Sequence, residues 1–288
     1  MIPAAFEYHR PTSVADVIGL LGQHGDDARV VAGGHSLIPM MKLRMAEVPH
    51  LIDLQDVGDL RGISQDGGRI RIGATVTQAE LIASETLAGA APILREAALQ
   101  IADPQVRNCG TVGGNVANGD PGNDMPGLMQ CLNATFELYG PDGRRDVAAR
   151  AFYEAAYMTA REDDEILIAV HLDAPKGGYA YEKQKRKIGD YATAAAAVQI
   201  TREGGTCSGA SIAMTNLSDV PVWSEAAGAA LVGTAVDGAA VEAAVAAMLG
   251  DIDPAEDNRG PVEFKRHAAA VILRRAIARA WDRARDGA

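Results

Sequence analysis

Cysteine is scarce in this chain: only Cys109, Cys131 and Cys207 occur in 288 residues. The odd count and the lack of any CxxC pair indicate reduced thiols rather than a disulfide framework. They also argue against an iron–sulfur cluster or structural zinc held by this chain alone. Positive charge is short as well, with 27 Lys and Arg against 38 Asp and Glu and a net charge of -11. That balance excludes the basic face that nucleic acid rewards. No apolar run approaches the length of a membrane span. The N-terminus, Met1-Ile2-Pro3-Ala4-Ala5-Phe6-Glu7, lacks the basic stretch and apolar core of a signal peptide. What remains is a cytoplasmic globular protein with small-molecule or protein partners.

Enzyme signatures are missing too. No GxGxxG follows a strand, which excludes the usual dinucleotide fold. There is no Walker A sequence, no HExxH and no GxSxG. The six histidines, His9, His24, His35, His50, His171 and His267, show no ligand spacing. No metal ligand and no acid–base dyad is therefore assigned, and no catalytic residue is expected in this chain.

The chain is too long for one ordinary core and long enough for two or three small domains. Thr12 or Ser13 can cap a first helix carrying Val14, Val17, Ile18 and Leu21, with Gly25 ending it. Residues 29–32, 51–54 and 69–73 read as short strands. Thr77-Gln78-Ala79-Glu80 is a capping box, and a longer helix is expected over Pro92 to Ile101. Asp103 to Asp124 reads as loop, dense in Gly, Asn, Asp and Pro. A short helix through Leu128, Met129 and Leu132 follows. Strands resume at residues 134–139 and 165–172. Pro175-Lys176-Gly177-Gly178 looks like a linker. Beyond it, residues 179–187, 194–202 and 208–216 read as a three-stranded meander, followed by helices over 224–231, 238–249 and 261–285. The expected class is α+β, divided at residues 1–177 and 178–288, with subdomains of about 1–55 and 56–177.

Two glycine-rich loops carry the chemistry. In Ala32-Gly33-Gly34-His35-Ser36 a strand ends in paired glycines. Glycine permits positive φ and lets a ligand approach the backbone, and successive amides in such a turn form an anion-binding nest. Taken alone, this loop is as readily a tight turn. Thr111-Val112-Gly113-Gly114-Asn115 repeats the logic about eighty residues later, so the pair could clamp a diphosphate from both sides. A Cβ at Gly33 or Gly113 would then obstruct the diphosphate. Asp120, Asn123 and Asp124 follow. Asp120 suits capping or solvation. Asp124 suits either a sugar hydroxyl or the cap of the next helix. Met40, Met41 and Met45 suit core filling. Lys183, Lys185, Arg186 and Lys187 suit a solvated strand edge. Arg274, Arg275, Arg279, Arg283 and Arg285 suit the polar face of an amphipathic helix, with docking to another subunit as the sharper alternative.

The order of these motifs resembles the FAD-binding subunits of the molybdenum hydroxylases. The strings are Phe6-Glu7-Tyr8 with Pro11, Ala32-Gly33-Gly34-His35-Ser36-Leu37, Thr111-Val112-Gly113-Gly114-Asn115, Asp120-Pro121 through Asp124, and Tyr181-Glu182-Lys183 through Asp190-Tyr191-Ala192. Gly119-Asp120-Pro121-Gly122-Asn123-Asp124-Met125-Pro126 and the compact length are similar to the medium subunits of the aerobic carbon monoxide dehydrogenase branch. The resemblance implies a vanillyl-alcohol-oxidase-like (PCMH-type) FAD fold of two α+β subdomains with a C-terminal α+β domain. It implies FAD contacts from Ala32, Gly33, Gly34, His35, Ser36, Thr111, Val112, Gly113, Gly114, Asn115 and Asp124. It puts Ile101, Leu167 and Lys183 near the cofactor. Tyr191 is either close to the isoalloxazine or a plain sheet aromatic.

The implied function is electron transfer. A molybdopterin cofactor would sit in a large partner subunit and [2Fe-2S] clusters in a small one. FAD in this chain would then deliver electrons to an acceptor such as quinone. The resemblance implies a dimer of heterotrimers, in the cytoplasm or at the inner face of the cytoplasmic membrane. Other readings are a subunit of a xanthine, N-heterocycle or aldehyde hydroxylase, a stand-alone flavin oxidoreductase, which would need a proton donor or acceptor facing the flavin, or a binding module for another phosphate ligand.

Overall fold

The computed structural model describes residues 1–285. The chain begins with β1 (Glu7–His9), α1 (Val14–His24), β2 (Ala28–Val31), α2 (Leu37–Lys42) and β3 (His50–Asp53). Ser13 caps α1 by accepting from the Asp16 amide. Its Val14, Val17 and Leu21 lie on one side and pack on Ala28 and Ile52. The three strands form a parallel sheet in the order β1-β3-β2.

Next come β4 (Ile63–Asp66), β5 (Arg69–Gly73), α3 (Gln78–Ala83), α4 (Glu85–Ala90), α5 (Pro92–Ala98), α6 (Pro104–Cys109), α7 (Val112–Ala117) and α8 (Asp124–Cys131). They are followed by β6 (Thr135–Gly140), β7 (Gly143–Ala148), β8 (Tyr153–Ala155), β9 (Met158–Thr159) and β10 (Ile166–Asp173). Five of these strands make an antiparallel sheet, β4-β5-β10-β6-β7. Strand alternation, switched in phase by a bulge between Leu167 and Ala169, makes β10 a shared wall. Ile166 and Ile168 join the core of the first sheet, while Leu167, Val170 and Leu172 face the helices of the second.

The span 103–124, expected as loop, contains α6 and α7. Both are short and poor in helix formers, and α7 includes Gly113 and Gly114. Caps hold them: Asp103 Oδ1 accepts from Val106 N at 2.9 Å and Thr111 Oγ1 from Gly114 N at 3.0 Å. The expected capping box at Thr77 and Glu80 is present.

The remaining elements are β11 (Gly178–Gln184), β12 (Ala194–Glu203), β13 (Thr206–Thr215), β14 (Val222–Trp223), α9 (Glu225–Ala229), α10 (Gly238–Asp251) and α11 (Val262–Arg283). The sheet has four strands rather than three, because two-residue β14 adds to β13. Small alanines on β12 let α11 lie close on one face. Pro261, expected inside α11, stands at its N-cap. Helix α8 is buried at every residue. A Cβ at its Gly127 would strike the Thr215 hydroxyl of β13, so only glycine permits that approach. Among the described residues no helix is long and apolar enough to cross a membrane.

Candidate functional site

Two adjoining cavities sit where the glycine loops meet. One, of about 370 Å³, is lined by residues 30–37, by Gln78, Ile101, Thr111, Gly114, Asn115 and Asp124, and by Lys183, Asp190 and Tyr191. The other, of about 380 Å³, shares Ala32, Gly33 and Thr111 with it and extends to Arg61, Thr75 and Cys109. Together they form a trough in the size range of small-molecule sites. Twelve of the fifteen residues expected at the cofactor lie on the first cavity's wall: Ala32, Gly33, Gly34, His35, Ser36, Ile101, Thr111, Gly114, Asn115, Asp124, Lys183 and Tyr191. Val112, Gly113 and Leu167 do not, and all three are buried in packed surroundings.

The two loops play different parts. In the first, the amides of Gly33, Gly34, His35 and Ser36 have no hydrogen-bond partner among the described residues. Gly34 holds φ at +72°, the left-handed region that glycine favours. In the second, the amides are already engaged. Val112 N bonds Val76 O, Gly113 N bonds Ala74 O, Gly114 N bonds Thr111 Oγ1 and Asn115 N bonds Thr111 O, at 2.8 to 3.1 Å. The second loop therefore shapes the trough, and the first offers the free donors.

The glycines also have reasons other than those expected. A Cβ on Gly33 would strike the Cys109 carbonyl and stand 2.7 Å from Gly110 Cα, so the two loops touch there. A Cβ on Gly113 would stand 2.6 Å from Ala74 Cβ. Both glycines serve contacts within the protein.

Asp124 opens α8 but does not cap it. Asn123 is the N-cap and makes no side-chain cap bond, while Asn115 Oδ1 accepts from Met125 N at 3.1 Å. The Asp124 carboxylate instead accepts from Tyr181 Oη at 2.5 Å and from Lys183 Nζ at 2.8 Å. Burial pushes the Asp124 carboxyl above its ordinary value, against the opposing pull of Lys183 and Tyr181. Burial, and then the neighbouring carboxylate, push the Tyr181 hydroxyl well above its ordinary value, so it remains a donor. Lys183 also donates to Gln100 O at 3.2 Å.

The basic run is only partly a solvated edge: Arg186 and Lys187 are exposed, whereas Lys183 and Lys185 are engaged. The Lys183 side chain is 1% exposed, Lys185 bonds Gln100 Oε1 at 2.8 Å and Arg186 pairs with Asp190 at 2.9 Å. Tyr191 lies in the β11–β12 connection, not in the sheet. Burial of its hydroxyl, with Asp120 beside it, pushes that group up to about 12.

Sequence reasoning missed Gln78. It appeared only as a member of the capping box. The structure buries it on the cavity wall, with Nε2 and Oε1 both lacking a partner. A buried amide without partners costs about 1–3 kcal/mol, which a ligand can offset. A polar residue inside a capping box, where any residue would do, was the only available signal.

His9, His24 and His50 have no ligand spacing in sequence, yet parallel pairing of β1 with β3 and the end of α1 bring them together. Of the methionines, Met41 is buried beside Val31, while Met40 and Met45 are exposed.

Residues 4–175 match the FAD binding domain in molybdopterin dehydrogenase, and residues 179–280 match the CO dehydrogenase flavoprotein C-terminal domain. The chain belongs to the molybdopterin dehydrogenase flavoprotein family. Within this family it is 57% identical to the carbon monoxide dehydrogenase medium chain of Afipia carboxidovorans, over 99% of this chain and 100% of that one. It is 46% identical to the corresponding medium chain of Hydrogenophaga pseudoflava, over 98% and 99%. It superposes on reconstituted CO dehydrogenase from Oligotropha carboxidovorans with a TM-score of 0.97 at 57% identity, covering 99% of this chain and 100% of that one. Membership of the flavoprotein family identifies FAD as the cofactor. The unpartnered amides at 33–36 and the orphaned Gln78 fit it.

Proposed function

We propose that this chain is the FAD-carrying subunit of a carbon monoxide dehydrogenase. The observation that carries the proposal is the free donor row Gly33–Ser36 on the wall of a cavity that the buried Asp124–Lys183 pair also lines. Four free amides at a glycine turn match the demand of a diphosphate. Gln78 offers a donor and an acceptor to a flavin or sugar group. Asp124, already oriented by Tyr181 and Lys183, presents a fixed acceptor for a hydroxyl. Ala32, Ile101, Thr111, Asn115 and Tyr191 supply the rest of the wall. Val112, Gly113 and Leu167 act from behind it, by packing.

Bound there, FAD supplies exchange between one-electron and two-electron couples. The protein's contribution is binding, orientation and exclusion of water; no side chain is asked for acid–base work. Partners of molybdopterin and [2Fe-2S] type follow from this role. We further propose a dimer of heterotrimers, an acceptor such as quinone, and location at the inner face of the cytoplasmic membrane. The division at residue 177 is supported by the change from the five-stranded sheet to a separate four-stranded one.

The test is purification alone and with the products of neighbouring genes. The assembled complex should reduce a dye in the presence of carbon monoxide, while the isolated chain should not. Turnover by the isolated chain would overturn the reading, as would a native complex without flavin. Gln78→Leu should weaken flavin retention about tenfold, the worth of a lost hydrogen bond or two, and raise apo-chain stability, since it removes two unsatisfied atoms.

A further inference from the structure

The cluster of His9, His24 and His50 lies outside the trough. Glu7 of β1 pairs with His50 of β3 in the parallel register, and His9 follows two positions later. Glu7, His9 and His50 therefore share one face of the sheet. Helix α1 covers that face and ends on His24, delivering a third imidazole to it. All three histidines are half-buried.

The donor atoms are close. One ring nitrogen from each histidine can be chosen so that all lie within 4.8 Å of one another. His9 Nε2 and His50 Nδ1 are already 3.1 Å apart. The His24 and His50 rings stack with centroids 3.7 Å apart. Among the described residues the ring nitrogens of His24 have no hydrogen-bond partner, so the ring brings an unused lone pair to the group. Glu7 Oε2, on an exposed side chain, stands 3.5 Å from His50 Nδ1 and can close a fourth position.

We propose that His9, His24 and His50, with Glu7 as a fourth donor, form a binding site for a divalent transition metal ion of the zinc class. Zinc takes imidazole nitrogen at about 2.0–2.1 Å in a tetrahedron, which puts donor nitrogens about 3.3 Å apart. The His9–His50 spacing is close to that figure, and the His24 nitrogen, within 4.8 Å of the others, is brought in by a side-chain rotation. Imidazole donors suit zinc, nickel and copper, whereas an all-oxygen set would suit calcium or magnesium. The ion would tie β1, β3 and the end of α1 together, so it adds to the folded state alone. This proposal does not rest on the flavin reading.

The purified full-length chain, stripped with chelator, is titrated with Zn²⁺ by calorimetry and with Co²⁺ by absorption. One equivalent should bind, Co²⁺ should show tetrahedral bands, and zinc should raise the unfolding temperature. His24→Gln and His50→Ala should each weaken binding at least about tenfold, the loss caused even by an outer partner of a metal ligand. Flavin content should not change in either. If His50→Ala fails to fold, His24→Gln at the half-exposed helix end decides alone. No saturable binding at one equivalent, or unchanged affinity in His24→Gln, would overturn the proposal.

Discussion

At the residue scale the Asp124–Lys183 pair governs the trough. Its two side chains are 6% and 1% exposed, and each retains a second partner, Tyr181 and Gln100 respectively. Removing one member strands a buried charge, which costs about 3–5 kcal/mol. Asp124→Leu is therefore expected to lower the urea midpoint sharply and to lose flavin. Asp124→Leu combined with Lys183→Met should recover most of the stability, because an apolar pair of similar size replaces the ions. Flavin should stay lost in the double variant. Recovery of both would mean that Asp124 acts only through folding. The sequence left Asp124 open between cap and ligand. Its true partners lie 57 and 59 positions away, and nothing local reports them.

Between elements, the glycine loops show what a sequence can and cannot say. Strand-glycine-glycine at 31–34 was legible because a turn with φ above zero needs glycine locally. The reason for Gly33 was not legible, since it lies in the backbone of Cys109 and Gly110. Gly33→Ala should therefore destabilise the chain even without cofactor, by forcing α6 and the 32–36 loop apart. A melt of the apo-chain checks this; an unchanged melt with lost flavin would restore the ligand-approach explanation. Helices α6 and α7 escaped prediction for a related reason: three tertiary amide bonds, Gln78 N to Gly110 O, Val112 N to Val76 O and Gly113 N to Ala74 O, and not propensity, hold the span around Thr111.

A second link between elements is acid-sensitive. Arg145 of β7 grips Glu165, just before β10, with two bonds of 2.6 Å. That grip, outweighing burial, holds the Glu165 carboxyl below its ordinary value of 4.5. A carboxyl with a lowered folded-state pKa stabilises above the unfolded value and loses that contribution as pH falls through the folded one. Arg145→Ala should thus cost about 1 kcal/mol near neutral pH, as Arg145 is partly exposed, and less once pH falls well below 4.5. Urea melts at both values check it. An equal cost at both would assign the effect to packing.

For the whole molecule, the arginines of the last helix turn inward. Arg279 and Arg283 both reach Glu96 of α5, Arg279 also pairs with Glu182 at 2.9 Å, and Glu96 accepts from the Tyr181 amide at 2.7 Å. Sequence alone saw a polar helix face; the pairing spans more than 180 positions and has no local signature. Arg274 pairs with Glu242 of α10. Glu96→Gln is expected to lower Tm by a few degrees, about 1–3 kcal/mol, and to speed protease cleavage around residues 174–178. Unchanged cleavage would mean that α8, buried between the sheets, holds the two parts together unaided.

The trough draws its wall from distant parts of the chain: residues 30–37 come early, while Lys183 comes from the later sheet and Asp190 and Tyr191 from the β11–β12 connection. That sheet is clasped by α11, which ends at Arg283. Domains fold as units in the order of synthesis, so during translation the early loops emerge long before their facing wall exists. The pocket can close only once residues 183–191 have been made. A product of synthesis stalled before that segment would carry the glycine signature yet remain colourless.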